Sequence, residues 1–347
     1  MHKPKFKILS IDGGGIRGII PCTILAFIES QVGPIYETFD LVAGTSTGGI
    51  IGLGLCTTKP TQNCPYSAEE MLDLYVKNGG AIFDQRKSAW LSNLVGKINP
   101  PISDIISKPY PVKTIEKLLK QYFGDSRLDD TLSEVLITTY DLKKRKPFYF
   151  SSRLAKSDPN ENRLIYEVTR STSAAPTFFE PNFFKYKKDE ELAAVDGGVF
   201  ANNPAILAYA EAKEWWKLGT FKGFEPSVQP TDNDLPFYML SIGTGYSQKT
   251  VNINNIANWK AAQWIELLLK DVFMQGVAES THFTMQHLLP AYQDGTPRYS
   301  RLDVELSENG TEMDNASPQN IEQLQDAAQK YVKTNRSKLL EICKILQ

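Results

Sequence analysis

The residues that most clearly predict chemistry lie in the run from Phe39 to Ile50, which contains the pattern Gly44-x-Ser46-x-Gly48. Apolar residues before and after the pattern predict a buried strand followed by a helix. A serine between two glycines at this spacing is typical of a nucleophile elbow, a tight turn that exposes the hydroxyl and leaves no room for larger residues at the glycine positions. The N–H groups and positive dipole end of the helix would face an oxyanion formed there. The alternative interpretation is a Gly/Ser-rich loop, because the pattern alone is common.

A second glycine-rich stretch, from Asp12 to Gly18, separates the first predicted strand from a predicted helix. Its pattern Gly13-x-Gly15-x-x-Gly18 matches the dinucleotide-binding fingerprint, so a nicotinamide-dependent oxidoreductase is an alternative function. The acidic residue about twenty positions further on, Asp40, precedes the next strand instead of ending it, which argues against that function. The three consecutive glycines could instead turn their backbone N–H groups toward one anion and form an oxyanion hole. A tight turn without a ligand is the remaining alternative.

A base for the serine is the next requirement, and histidine usually supplies it. The sequence has three histidines: His2 near the terminus, and His282 and His287 in one predicted helical stretch. The last two are five positions apart, so they do not share a helix face, and neither follows the end of a predicted strand. Asp196 is the better candidate, because it ends a short apolar strand and is followed by two glycines. The same pattern also suits a plain turn.

The composition is that of an ordinary globular protein, with 347 residues of which 41% are hydrophobic and 22% charged. We expect a single domain over residues 1–347, because α/β enzymes often reach this length as one unit. The net charge of −2 gives no indication of nucleic-acid binding. The four cysteines have neither metal-ligand nor disulfide-framework spacing, so we expect no metal and the reduced thiols of a cytoplasmic protein. No signal peptide, no run near the ~20 apolar residues of a membrane span and no phosphate loop are evident.

The predicted strands and helices alternate along the chain, and their order indicates where the candidate residues lie in the fold. Beyond the strands that precede Gly13 and Ser46, apolar runs predict strands at 134–140, 147–151, 192–195 and 237–242. Helices are predicted after both glycine-rich turns and at 67–77, 113–123, 162–173, 203–217, 256–288 and from 317 nearly to the C-terminus. Open α/β sheets bind ligands at the carboxyl ends of their strands, so we expect the glycine loop and the serine turn to lie side by side.

Two stretches stand apart from this alternation. The segment 85–111 is irregular and contains prolines, several lysines and the apolar residues Trp90, Leu91, Leu94 and Val95. It could be a lid or a membrane-touching flap, and the alternative is an ordinary covering loop. The basic run 143–146 lies between two predicted strands, and we interpret it as the solvated tip of a hairpin.

Three separated motifs resemble those of the patatin-like phospholipases, the family of the plant patatins. They are Asp12-Gly13-Gly14-Gly15-Ile16-Arg17-Gly18, Gly44-Thr45-Ser46-Thr47-Gly48 and Asp196-Gly197-Gly198. Residues 171–176 and 313–317 also look like family segments, so the resemblance covers nearly the whole chain in the family's order. No family feature is carried over to the segment 85–111.

This resemblance implies an α/β fold, a three-layer α/β/α sandwich around a mainly parallel sheet. It implies hydrolysis of fatty-acyl esters of membrane lipids by a Ser–Asp dyad, through an acyl-enzyme and without metal or other cofactor. Ser46 would be the nucleophile and Asp196 the base, while Arg17 would support the glycine loop or contact a phosphate. The oxyanion hole would be formed by the backbone N–H groups of Gly13, Gly14 and Gly15.

The expected partner is therefore a membrane surface, contacted peripherally from the cytoplasm, and no nucleic acid. Phospholipids and galactolipids are both candidate substrates. A storage protein with the same fold, or a signal-activated effector that degrades membranes as some bacterial relatives do, is an alternative. The presence of both Ser46 and Asp196 argues against complete inactivity.

Overall fold

The computed structural model describes residues 3–83, 110–176, 178–187, 190–218, 236–247, 272, 274–307 and 312–347. The predicted lid or flap at 85–111 lies outside the described residues, except for its last two positions. The same is true of His2, of the four apolar residues named in that flap, and of most of the helix predicted to begin near residue 256.

A single mixed sheet forms the centre of the described structure. Its strands are β1 (Phe6–Ile11), β2 (Leu41–Thr45), β3 (Glu134–Asp141), β4 (Lys146–Ser151), β5 (Asn182–Lys187), β6 (Glu190–Asp196), β7 (Phe237–Ile242) and β8 (Tyr299–Leu302). The order is β5-β6-β3-β2-β1-β7-β8, and β4 also pairs with β3. The run from β3 to β8 is parallel, whereas β4, β5 and β6 pair antiparallel. The prediction of a mainly parallel sheet is therefore confirmed.

Helices cover both faces of this sheet. They are α1 (Ile19–Val32), α2 (Ile35–Thr38), α3 (Thr47–Cys56), α4 (Ala68–Ile82), α5 (Val112–Phe123), α6 (Ser152–Ser157), α7 (Ile165–Thr172), α8 (Gly198–Ala201), α9 (Ala205–Lys217), α10 (Val277–Leu288), α11 (Pro318–Thr334) and α12 (Arg336–Leu346). Alternate residues of β1 divide between two buried clusters: Leu9 and Ile11 pack with α1, α3 and α4, while Phe6 and Ile8 pack with α9 and α10. Because successive strand residues point to opposite faces, this division is that of a three-layer sandwich.

The stretch Gly15–Val32, which includes α1, is long and apolar enough to cross a membrane by length and composition alone. Apolar side chains such as Ile20, Ile24 and Leu25 are buried in the cluster that α1 shares with β1, and the helix packs on α4 and α11. A buried core helix meets the same criterion as a membrane span, so we interpret α1 as a core helix.

Several predicted boundaries changed in the structure. Ser67 and Glu70 form the predicted capping box, but α4 continues past the glycines that were expected to end it, as far as Ile82. Gly79 has a packing role instead, because a Cβ atom there would lie 2.5 Å from Ile16 Cδ1. The predicted last helix is divided at Asn335 into α11 and α12. The short strands β5 and β8 were not predicted.

Candidate active site

Ser46 occupies the turn between β2 and α3 in a strained backbone conformation, with φ 55° and ψ −123°. Residues other than glycine rarely adopt a positive φ, and such strain is concentrated at functional sites. A Cβ atom at Gly44 would lie 2.4 Å from the carbonyl oxygen of Gly48, and one at Gly48 would lie 2.2 Å from the carbonyl oxygen of Ile11. The steric reason for both glycines is therefore present in the structure, and the predicted elbow geometry is observed.

A threonine that the sequence analysis did not single out fixes the elbow. The backbone N–H of Ser46 donates to Thr172 Oγ1 at 2.8 Å, and Thr172 Oγ1 donates to the carbonyl oxygen of Thr138 at 2.7 Å. Thr172 ends α7, so this helix ties the turn to β3. Its place within the predicted family segment 171–176 was the one sequence signal available.

Strand pairing beside β3 brings Asp196 to Ser46. One edge of β3 is occupied by β4 as far as Asp141. The other edge pairs with β2 up to Thr138 and then with β6, whose Asp196 is opposite Thr139. Thr45, the last residue of β2, is opposite Thr138. The ends of β2 and β6 therefore meet along one strand, with the serine and the aspartate at the junction.

The carboxylate of Asp196 is buried and held by few groups. Its Oδ1 accepts a hydrogen bond from the Gly198 N–H at 2.7 Å, and its backbone N–H donates to the carbonyl oxygen of Ala174 at 3.0 Å. Burial raises the pKa of Asp196 to about 7, although a side-chain hydrogen bond with Ser46 and the Gly198 contact act in the opposite direction. A carboxyl with a pKa near neutrality is suited to act as a general base.

The glycine loop lies beside the elbow. A Cβ atom at Gly13 would lie 3.1 Å from Ser46 Cβ and 2.5 Å from Asn202 Oδ1, so only glycine allows this approach. The Gly13 N–H donates to the carbonyl oxygen of Asn202 at 3.1 Å, while its carbonyl oxygen accepts from Thr244 Oγ1 at 2.6 Å. Within the described part of the chain, no hydrogen bond involves the N–H of Gly14 or Gly15. The N–H groups of Gly14 and Gly15 could therefore bind an anion, whereas the Gly13 N–H is already bonded to Asn202.

The first turn of α3 adds further donors. Helical N–H groups at the first positions have no partner within their own helix, and here those of Thr47 and Gly48 have none elsewhere in the described residues. The positive end of the helix dipole is directed at the same place. The elbow and the glycine loop therefore present backbone N–H groups from two sides.

A partly buried ion-pair network holds Asp12, the first residue of the glycine loop. Arg301 on β8 donates to both carboxylate oxygens of Asp12, at 2.9 and 2.6 Å, and also to Asp303 at 2.8 Å and Ser241 Oγ at 2.8 Å. Burial raises the pKa of Asp12 to about 6, against the opposing effect of Arg301. Arg17 is buried on the same side and also favours the charged form of Asp12. Arg301 was missed by the sequence analysis because no motif surrounds it.

The described histidines are engaged elsewhere. His282 Nδ1 lies 3.1 Å from the Tyr299 hydroxyl, and burial is the main reason for its lowered pKa. His287 Nδ1 lies 2.8 Å from the carbonyl oxygen of Phe283. In the described ranges, no hydrogen bond joins either histidine to Ser46 or Asp196, and no three His, Cys, Asp or Glu side chains cluster as metal ligands.

Comparison with known proteins decides the family. A family model described as Patatin-like phospholipase matches residues 9–209, which include the glycine loop, the elbow and Asp196. The chain belongs to the patatin-like phospholipases. It is 34% identical to patatin-like protein 2 of Oryza sativa subsp. indica, over 96% of this chain and 85% of that protein. It is 32% identical to patatin-17 of Solanum cardiophyllum, over 94% of this chain and 83% of that protein.

Among solved structures, human GIVD cytosolic phospholipase A2 overlaps with a TM-score of 0.42 at 12% identity, over 98% of this chain and 59% of that one. Membership of the family confirms the suspected resemblance and supports lipid acyl hydrolase activity for this patatin-like chain. A Ser–Asp dyad and an oxyanion hole are typical of the family. The roles of the individual residues, and the expectation of one domain over 1–347, stay predictions.

Proposed function

We propose that this patatin-like protein hydrolyses fatty-acyl esters of membrane lipids, with Ser46 as nucleophile and Asp196 as general base. The observation that carries the proposal is the junction of β2 and β6, where a serine with a positive φ meets a buried carboxyl. The raised pKa of Asp196 adds a chemical reason, since a stronger base takes the serine proton less unfavourably.

The proposed reaction has two halves. Asp196 takes the hydroxyl proton as Ser46 Oγ attacks the acyl carbonyl carbon, and the tetrahedral intermediate then expels the lipid alkoxide, which receives that proton from Asp196. In the second half, Asp196 takes a proton from water, whose oxygen attacks the Ser46 ester. The fatty acid leaves, and the proton returns to Ser46 Oγ.

For the oxyanion, we propose the N–H groups of Gly14 and Gly15 with those at the start of α3. The Gly13 N–H contributes to this site by positioning the loop, because it already donates to Asn202. Each donor of this kind is typically worth about 10²–10³-fold in rate. Arg17 is proposed to support the loop through its charge beside Asp12.

The proposed substrates are phospholipids or galactolipids, reached by peripheral contact from the cytoplasm. The support for a lipid substrate is the family itself, which is one of phospholipases. No metal or other cofactor takes part in the proposed steps, since serine and aspartate supply the nucleophile and the base.

The test is incubation of the purified protein with vesicles of mixed membrane lipids, followed by mass spectrometry of the products. We expect free fatty acids and the matching lysolipids, formed by the wild type and absent with Ser46→Ala and Asp196→Asn. Equal product with Ser46→Ala would overturn the proposed nucleophile, and intact lipids with the wild type would overturn the function.

A further inference from the structure

The antiparallel end of the sheet exposes apolar side chains. Leu142, Tyr149 and Phe183 are 45%, 37% and 71% exposed, and we call these three residues the rim patch. Ala193 on β6 lies between two of them: it is the cross-strand partner of Phe183 and accepts a backbone hydrogen bond from Leu142 at 2.9 Å. Directly paired strand residues point to the same face, so Phe183 shares the face of Ala193, and Leu142 adjoins Ala193 through its backbone hydrogen bond.

Aromatic contacts connect this face with the segment that follows the catalytic carboxyl. The ring of Phe200 lies 6.1 Å from that of Tyr140 and 6.1 Å from that of Tyr149. Tyr140 is paired with Val195, which is two positions from Ala193 on β6, so Tyr140 and Phe183 lie on the same face. The rim patch therefore continues into α8, which begins two residues after Asp196.

The position of the rim patch follows from strand register. Asp196 is opposite Thr139 and Tyr149 is opposite Thr138, while Leu142 directly follows Asp141, the last residue of β3. At ~3.3 Å per residue, the patch therefore begins with Tyr149 near the level of the catalytic carboxyl and reaches Leu142 about 10 Å beyond it. This is the carboxyl end of β2 and β3, where Ser46 also lies.

Basic side chains surround the rim patch. Exposed cations are Lys143, Lys144, Arg145, Lys146, Lys185 and Lys187, on the β3–β4 turn and on β5. Two exposed acidic neighbours, Glu190 and Glu191, form ion pairs with Lys144 and Lys143. Such exposed pairs are weak and leave the lysines accessible. The whole chain carries a net charge of −2, so this concentration of positive charge is local.

We infer that the rim patch is the surface by which the protein docks on an anionic lipid bilayer. Apolar side chains beside lysines and arginines suit the boundary between acyl chains and anionic head groups. The inference rests on the proposed function in one respect, because a lipid hydrolase must bring its serine to a bilayer. It goes further by naming the face that makes contact and the charge of the lipids preferred.

A second copy of the chain fits this face less well. The outermost strand, β5, would be the edge available for pairing, but it carries exposed Lys185 and Lys187 with a register irregularity between them. Lysines and bulges on an edge strand oppose strand-to-strand association. Like charges would also face each other across such an interface, whereas anionic lipids complement them.

The first experiment measures binding of Ser46→Ala protein to vesicles of 30% phosphatidylglycerol and 70% phosphatidylcholine by flotation. The test variant adds Leu142→Ala and Phe183→Ala. The matched control adds Leu132→Ala and Phe283→Ala, which remove a leucine and a phenylalanine that are 53% and 65% exposed. Leu132 precedes β3 at its opposite end, and Phe283 lies on α10.

We expect the test variant to lose about tenfold in partition coefficient, as burial of two large apolar side chains in an interface implies, and the control to bind like the parent. Equal binding by test and control variants would overturn the proposal. So would failure of the parent protein to bind these vesicles, or a wild-type dimer in sedimentation that the test variant lacks.

The second experiment tests the charge. Arg145→Asn with Lys146→Gln removes two cations, and asparagine tolerates the positive φ of 52° at position 145. Lys330→Gln with Lys333→Gln, on α11, is the matched control. We expect about a tenfold loss on anionic vesicles at low salt for the first pair only, and little change on pure phosphatidylcholine. An equal loss on both kinds of vesicle would contradict the preference for anionic lipid.

A third measurement separates this proposal from the proposed function. Variants of the rim patch that retain Ser46 should hydrolyse a water-soluble p-nitrophenyl ester at the wild-type rate, while losing activity on vesicles. Inactivity of the wild type on every ester would defeat the proposed function, yet the flotation results would still decide the docking surface. Loss of soluble-ester activity in the rim variants would instead indicate a disturbed active site and contradict the docking role.

Discussion

Two buried carboxylates, Asp12 and Asp196, occupy similar places in the sequence but differ in their surroundings. Asp12 directly follows β1 and Asp196 ends β6, and a run of glycines comes after each of them. Asp12 receives both arms of the Arg301 guanidinium, whereas Asp196 accepts a hydrogen bond from one backbone N–H and interacts with a serine hydroxyl. Burial raises both pKa values, to about 6 and about 7. The pair shows how one local motif can give either a structural anchor or a base, depending on whether a cation is placed opposite it.

The largest expected effect is a loss of turnover that follows substitution of Asp196 but not of Asp12. Asp196→Asn keeps the shape and removes the base, so we expect the rate on lipid or soluble ester to fall by about 10³-fold or more. Asp12→Asn should retain measurable turnover in whatever fraction stays folded, because Asp12 does not contact the reacting atoms. Steady-state kinetics corrected for folded protein makes the comparison. The distinction between anchor and base fails if both variants lose activity to the same extent while folded.

The second prediction concerns stability at the anchor. Asp12→Asn leaves Arg301 with Asp303 as its remaining carboxylate, and breaking a buried ion pair typically costs about 3–5 kcal/mol. Burial of the Asp12 charge acts in the other direction, but asparagine turns an amide N–H₂ donor toward the guanidinium and leaves Arg301 short of an acceptor. We therefore expect a loss of roughly 3 kcal/mol in the free energy of unfolding, measured by urea denaturation. Asp73→Asn is the control, because it breaks an exposed pair with Lys77 and should cost less than about 1 kcal/mol. Similar losses in the two variants would mean that the buried network adds no special stability.

The third prediction concerns Asp196, where removing the carboxylate should stabilise the folded protein at high pH instead of destabilising it. The folded pKa of Asp196 is about 7, above the ~3.9 expected for an unfolded chain, so the folded protein holds this proton more tightly. The stability of the wild type relative to Asp196→Asn should therefore be greatest below pH ~3.9 and fall as the pH rises to about 7.

Above pH 7, Asp196→Asn should be the more stable protein by about 2 kcal/mol or more, because it buries no charge. Thermal unfolding of both proteins at pH 5 and pH 8 is the measurement. A difference that does not change between these two pH values would mean that the carboxyl is ionised throughout.

The smallest expected effect comes from the strain at the elbow. Ser46→Gly relieves the positive φ, while Ser46→Ala keeps it, and both remove the nucleophile. We expect the glycine variant to be more stable than the alanine variant by about 1 kcal/mol in urea denaturation. At an ordinary position glycine would be the less stable by roughly 0.5–1 kcal/mol. A more stable alanine variant would therefore show that the turn carries little strain.

The elbow was predictable because its causes are local, whereas the glycine loop was predictable from its pattern alone, since distant residues such as Asn202 and Thr244 crowd Gly13 and Gly14. Contacts within a few residues or with the neighbouring strand make glycine necessary at Gly44 and Gly48, and the pattern of glycines records that requirement. The capping box at Ser67 is local in the same sense. The family resemblance then ordered these motifs into a three-layer fold, which the structure confirms.

What could not be predicted depends on residues distant in the sequence. Arg301 is 289 positions from Asp12, and no local pattern distinguishes it from any other arginine. The meeting of Ser46 with Asp196 depends on β6 taking the edge of β3 that β2 leaves free, a matter of register between separate strands. For the same reason, the sequence could not show that the Gly13 N–H is already engaged with Asn202.

The pH dependence of kcat/KM on a soluble ester tests most directly whether Asp196 is the base. Activity should rise with pH through a midpoint near 7, the pKa of Asp196, as the carboxyl loses its proton. Because an ordinary histidine would titrate close by, the profile must also be measured for the double variant His282→Ala/His287→Ala. We predict the same midpoint and most of the activity in that variant, and almost no activity at any pH in Asp196→Asn. An active Asp196→Asn protein, together with an inactive histidine variant, would contradict the assignment and identify a histidine-dependent serine hydrolase.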